Sequence, residues 1–128
     1  MKLRLYKDSV RFRLRKPDVE RLLEAGEVAH SVRVGPGPSD VLSYRIVSER
    51  RPEPALESDA RGLVVRFPSG QLRAWAAGSE TGVRFQAPWG TAVLVEKDFP
   101  CMETRADEND DGTYPRPADE PPACNAGG

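Results

Sequence analysis

Hydrophobic and polar residues alternate strictly over several short stretches of this chain. Val10, Phe12 and Leu14 are interleaved with Arg11, Arg13 and Arg15, the two-residue period of a strand with one buried face. Leu3 and Leu5 alternate in the same way just upstream, and Lys7-Asp8-Ser9 between the two runs reads as a hairpin turn. Further alternating runs are Val28–Val34, Leu42–Ile46, Leu63–Phe67 and Val83–Phe85. The run from Thr91 to Phe99 is apolar on both faces through Ala92, Val93, Leu94 and Val95, which predicts a central strand covered on both sides.

Two segments carry helical spacing instead. Pro17 suits a first turn, where its missing N–H costs nothing. Asp18 and Glu20 suit the positive end of the helix dipole. Val19, Leu22 and Leu23 form a narrow apolar stripe, and Gly26 stops the helix, giving a helix over Pro17–Ala25. Leu72, Trp75 and Ala76 form a second short face, with Ser69 as N-cap and a stop near Gly78. Gly35 to Asp40 is a loop, and Arg50 to Arg61 reads as a polar loop of low order.

These elements predict an α+β domain: a mostly antiparallel sheet of six to seven strands with two short helices. A partly closed, barrel-like sheet is the alternative, which would place the strand arginines in a tunnel. Val10–Val34 and Leu63–Phe85 share the order strand, helix, glycine stop, strand. Val10-Arg11-Phe12 is echoed at Val65-Arg66-Phe67 and Val83-Arg84-Phe85. A duplicated β-α-β unit is one origin for this likeness, and chance recurrence among short alternating strands is the other.

Charge divides the chain. Residues 1–102 hold 17 Lys and Arg against 13 Asp and Glu, whereas residues 103–128 hold 2 against 7. The expected organisation is a single basic domain over 1–102 and an acidic, proline-rich tail over 103–128. The tail has no apolar periodicity and too little apolar surface to offset its chain entropy, so it is expected to be disordered. Such a tail either competes with an anionic ligand for the basic body or keeps the domain soluble. No window reaches the ~18 apolar residues of a membrane span, and the charged start Met1-Lys2-Leu3-Arg4 lacks the apolar stretch of a signal peptide. The expected compartment is the cytoplasm, where Cys101 and Cys124 would stay reduced.

Two longer motifs carry a resemblance. The first runs from Leu3 to Leu14 (Leu3-Arg4-Leu5-Tyr6-Lys7-Asp8-Ser9-Val10-Arg11-Phe12-Arg13-Leu14) and leads to Val19-Glu20-Arg21-Leu22. The second is Val95-Glu96-Lys97-Asp98-Phe99-Pro100-Cys101, followed by Arg105, Asp107-Glu108 and Tyr114-Pro115. With these motifs the chain resembles a family of short, uncharacterised bacterial proteins, a domain of unknown function. The resemblance covers about Lys2 to Pro117. It implies a bacterial origin and a compact single domain, and it brings no activity and no catalytic residue.

The candidate chemistry lies in arginine. Arg13, Arg33, Arg45, Arg66 and Arg84 each sit between apolar neighbours in a strand, with Arg11 and Arg15 beside the first. If the strands share one sheet, these guanidinium groups line the face opposite the core, where they suit phosphate or carboxylate. The competing reading is a solvated face with the arginines paired across strands to Glu49, Glu96 and their neighbours. Stacking aromatics for nucleic acid are scarce on that face, apart from Tyr6 and Trp89.

Other constellations fail on inspection. Asp107-Glu108-Asn109-Asp110-Asp111-Gly112 matches the first half of a calcium loop, but position twelve is Ala118 rather than a bidentate Glu. His30 is the only histidine and shares the face of Val28, Val32 and Val34, as a core or edge side chain would. A zinc site therefore lacks ligands, and no Gly-x-Ser-x-Gly elbow or phosphate loop is present. Glu96 and Asp98 share a face, either as an acid/base or metal pair or as charges guarding an edge strand.

No catalytic residue, metal or cofactor is expected. The leading expectation is a non-catalytic binding or regulatory module for a protein partner or a small anionic ligand. A phosphate- or anion-processing enzyme using the Arg face with Glu49 and Glu96 is the alternative. Nucleic acid is disfavoured. Its one route is a DNA-binding dimer using Val65-Arg66-Phe67-Pro68 and the following helix, in the manner of swapped-hairpin transcription factors, and that helix carries only Arg73 as a base.

Overall fold

The computed structural model describes residues 1–99 and Tyr114. Its elements, in chain order, are β1 (Lys2–Tyr6), β2 (Ser9–Leu14), α1 (Lys16–Ala25), β3 (Glu27–Arg33) and β4 (Val41–Glu49). They continue with β5 (Ala55–Asp59), β6 (Gly62–Pro68), α2 (Ser69–Ala77), β7 (Gly82–Gln86) and β8 (Ala92–Lys97). Met1–Asp98 form one unit. Cys101 and the expected tail over 103–128, with Cys124 and the Asp107–Gly112 motif, lie outside the described residues except for Tyr114.

The strands build two sheets rather than the single sheet expected. One, sheet A, has the order β1-β2-β8-β7, and the other, sheet B, has the order β3-β4-β6-β5. Within each, the outer pairs are antiparallel hairpins and the central pair is parallel: β2 with β8, and β4 with β6. Alternation fixes which residues of a strand share a face but not which strands share a sheet, so the division was invisible in the pattern.

The inner faces of both sheets feed one core. Val10, Phe12, Leu14, Val83, Val93 and Val95 enter it from sheet A, and Val28, Ile46, Leu56, Val65 and Phe67 from sheet B. Leu22 of α1 and Leu72 and Trp75 of α2 complete it, with the Phe67 and Trp75 rings stacked at 6.2 Å. The helix α1 packs on β2, β3 and β4, and α2 packs on β4 and β6. As its apolar faces predict, β8 is a central strand, and Val93 and Val95 are fully buried.

Local signals hold at most boundaries. Gly26 caps α1 in the left-handed region, with φ 77°, and its N–H bonds to the Leu22 carbonyl at 3.0 Å. Ser69 is not the N-cap of α2: it is the first helical residue, and Pro68 precedes it without a side-chain cap. Gly62, at φ 151°, opens β6 where a Cβ would stand 1.9 Å from the Ser43 carbonyl oxygen, so only glycine lets β6 come alongside β4 there.

The strand β5 was missed, and its residues explain why. Only Leu56 faces the core, while Ala55, Glu57 and Asp59 alternate outward. Five residues with one buried apolar side chain carry almost no periodic signal.

Candidate anion-binding face

The register of each sheet sets its outward rows. In sheet A, Lys2, Arg13, Glu96 and Gly82 lie side by side across the four strands, and Arg4, Arg11, Leu94 and Arg84 form the next outward row. Phe12, Val95 and Leu3, one position along, point into the core. Among the described residues, the outward face therefore gathers Lys2, Arg4, Arg11, Arg13 and Arg84 with Glu96, and Asp98 follows at the end of β8.

Most of this cluster is withdrawn from solvent. The side chains of Arg13 and Glu96 are each 7% exposed and that of Asp98 is 9% exposed. Arg13 Nε lies 3.6 Å from Glu96 Oε1 and 3.9 Å from Asp98 Oδ1. Arg11 Nε is 3.4 Å from the same Glu96 oxygen, and Lys2 Nζ is 3.3 Å from Asp98 Oδ2. Arg13 Nε and Asp98 Oδ1 are buried without a hydrogen-bond partner. Burial of charge is tolerable only where opposite charge compensates it, and here Lys2, Arg11 and Arg13 gather around Glu96 and Asp98. Arg4 and the exposed Arg84 lie in the neighbouring row of the same face.

Sheet B treats its arginines differently. Arg45 donates to Glu27 at 3.2 Å and to Asp59 at 2.9 Å. Arg66 donates to Glu57 and to Glu49, both at 2.8 Å, and Arg51 also reaches Glu49, at 3.1 Å. The hydrogen bonds that Arg66 donates to Glu57 and then to Glu49 raise its pKa above the ordinary value. Asp59 is held below its ordinary value, first by the backbone N–H of Arg61, with Gly62 N–H and Arg45 adding to it. On this face Arg45, Arg51 and Arg66 meet Glu27, Glu49, Glu57 and Asp59, and Arg33 is exposed.

The five arginines singled out in the sequence are thus split. Arg13 and Arg84 belong to sheet A, and Arg33, Arg45 and Arg66 to sheet B. Glu49 and Glu96, paired in thought with the arginines of one face, stand on different sheets. Cross-strand pairing to these two acids does occur, through Arg66 and Arg13 respectively.

A third charged cluster escaped sequence reading. Asp18 receives the Met1 ammonium at 2.7 Å and the Arg15 N–H at 2.9 Å, and it meets His30 Nε2 at 3.2 Å. The Tyr44 hydroxyl donates to the Met1 carbonyl at 3.3 Å, and its ring stacks on His30. Helix position alone had suggested Asp18 as a dipole partner. Its long-range role depends on β1 and β3 converging beside the start of α1. Among the described residues, no group of three or more His, Cys, Asp or Glu could hold a metal ion. No described helix is long and apolar enough to cross a membrane.

A family model matches residues 1–118. The chain belongs to DUF7009, a family of unknown function. No curated protein and no solved structure matches this DUF7009 chain. The family supplies no ligand or activity for DUF7009, so any function has to be argued from the charged faces themselves.

Proposed function

We propose that this DUF7009 chain is a non-catalytic binding module that holds an anionic ligand on the outer face of sheet A. The observation that carries the reading is the gathering of five bases, Lys2, Arg4, Arg11, Arg13 and Arg84, on two adjacent outward rows of one sheet. Guanidinium groups arrayed in this way suit the geometry of a phosphate or carboxylate ligand.

The test is thermal denaturation of the full chain with inorganic phosphate, tripolyphosphate and a duplex oligonucleotide, at low and moderate salt. A salt-sensitive rise in Tm is expected with a polyanion. Arg4→Ser with Arg84→Ser should remove it, and Arg33→Ser on sheet B should not. No shift with any anion would sink the reading and leave a protein partner as the thing to seek.

One observation favours a second reading, DNA binding. The hairpin exchange that swapped-hairpin factors make between two chains is made here within one, since each sheet combines one hairpin from each half of the sequence. The same order supports descent from a duplicated unit, with the β-α-β segments of β2-α1-β3 and β6-α2-β7 as its centres. The duplex oligonucleotide discriminates. If it alone raises Tm, and Arg73→Ser abolishes the effect, the α2 reading replaces the sheet A reading.

A further inference from the structure

Neither sheet belongs to one half of the chain. Residues 1–49 supply β1, β2, α1, β3 and β4, and residues 55–98 supply β5, β6, α2, β7 and β8. The halves join along two parallel seams. One runs from Ser9 opposite Ala92 to Leu14 opposite Lys97, and the other from Ser43 opposite Gly62 to Glu49 opposite Pro68. The core is divided in the same way. Phe12, Leu22 and Ile46 come from the first half, and Val65, Phe67, Leu72, Trp75 and Val95 from the second.

Alone, either half is two separate hairpins and a helix with the apolar faces uncovered. Two-stranded hairpins do not sustain themselves in water, and chains of this size bury too little surface for a stable core. We infer that each half is the other's recognition partner, and that a second copy of this chain can supply that partner, giving a dimer in which the halves are exchanged.

The connection 50–54 decides between the closed chain and the exchanged pair. In sheet B, β4 and β5 flank β6, so the link from Glu49 to Ala55 crosses two strand spacings, roughly 9.5 Å. Five residues cover this with slack. With Pro54 alone, the Cα atoms of Glu49 and Ala55 could be no more than ~7.6 Å apart. The chain could not then close on itself, whereas β5 and β6 of a second copy could take the vacant place.

The first experiment deletes residues 50–53 from the full chain. A dimer of twice the mass, with the far-UV circular dichroism of the parent, is the expected result, and a folded monomer overturns the inference. The second keeps the full length and makes two chains, one Phe12→Asp and the other Phe67→Asp. Both positions are fully buried, so each chain alone should be insoluble. Co-expressed with different affinity tags, they should purify together as a one-to-one pair with one native lobe, built from the sound first half of one chain and the sound second half of the other. Absence of rescue overturns the inference even where the shortened chain fails to fold.

Discussion

Arg66 and Glu49 meet at 2.8 Å across the parallel pairing of β6 with β4, on strands contributed by opposite halves of the chain. The same guanidinium reaches Glu57 on β5, so one side chain ties three strands of sheet B together. These groups are part exposed, so their attraction is screened by solvent and by salt. Arg66→Met should lower Tm modestly at low ionic strength, and the loss should shrink in molar salt. Thermal melts of parent and variant at both salt levels check this. A loss that does not depend on salt would assign Arg66 a packing role instead.

Asp18 is a stronger dependence. It compensates the fully buried Met1 ammonium and accepts the Arg15 N–H, so Asp18→Asn leaves a buried cation without its counter-charge. A loss of about 2–3 kcal/mol is expected, measured by urea denaturation at neutral pH.

The pH dependence of that loss has a definite sign. Burial pushes the Asp18 carboxyl up, but the Met1 ammonium, the Arg15 N–H and His30 together outweigh it and hold the pKa below the ordinary carboxylate value. The resulting stabilisation is complete above the unfolded-state pKa of about 3.9 and is lost as pH falls through the lower folded value. The urea midpoint should therefore be steady from pH 7 to about 5 and fall steeply below pH 4. Asp18→Asn should flatten part of that fall, and the depressed Asp59 should account for a further part.

Two arginines on the same face should behave oppositely. Arg13 is buried beside Glu96 and Asp98, so Arg13→Met removes the cation that the two buried carboxylates share and should cost about 2–4 kcal/mol. Arg84 is exposed, and Arg84→Met should change stability by no more than about 0.5 kcal/mol. Equal effects in denaturant titrations would contradict the burial that separates them.

The strand β5 offers a test of what the sequence concealed. Leu56→Ala should cost about 2–4 kcal/mol, because Leu56 is its one side chain in the core. A solvated loop residue at this position would show almost no change in the urea midpoint. The other seven strands and both helices were legible, because each places two or more apolar residues at strand or helix spacing, as in Val10, Phe12 and Leu14 or in Val19 and Leu22, or in a continuous run, as in Ala92 to Val95. The pairing of strands was not, because β2 meets β8 through contacts that no local pattern encodes.

The charged sites were legible only in part, for the same reason. Arg13 and Glu96 could each be assigned to an outward face, but their meeting depends on that long-range seam. Asp18 looked like a helix-end acid, since nothing near it in sequence announces the Met1 amine or His30. The arginines of β4 and β6 looked equivalent to Arg13 and Arg84 until β5 and the start of β3 brought carboxylates beside them.

The exchange of hairpins also orders the folding of a chain made from its N-terminus. The seam of sheet B joins positions about twenty apart and can close once β6 has been synthesised. The seam of sheet A joins Ser9 to Ala92, so β1 and β2 must wait for β8 to leave the ribosome. Until then Val10, Phe12 and Leu14 lack their neighbours, which makes the opening segment the aggregation-sensitive part of the nascent chain and the arrival of β8 the step that commits it to the native state.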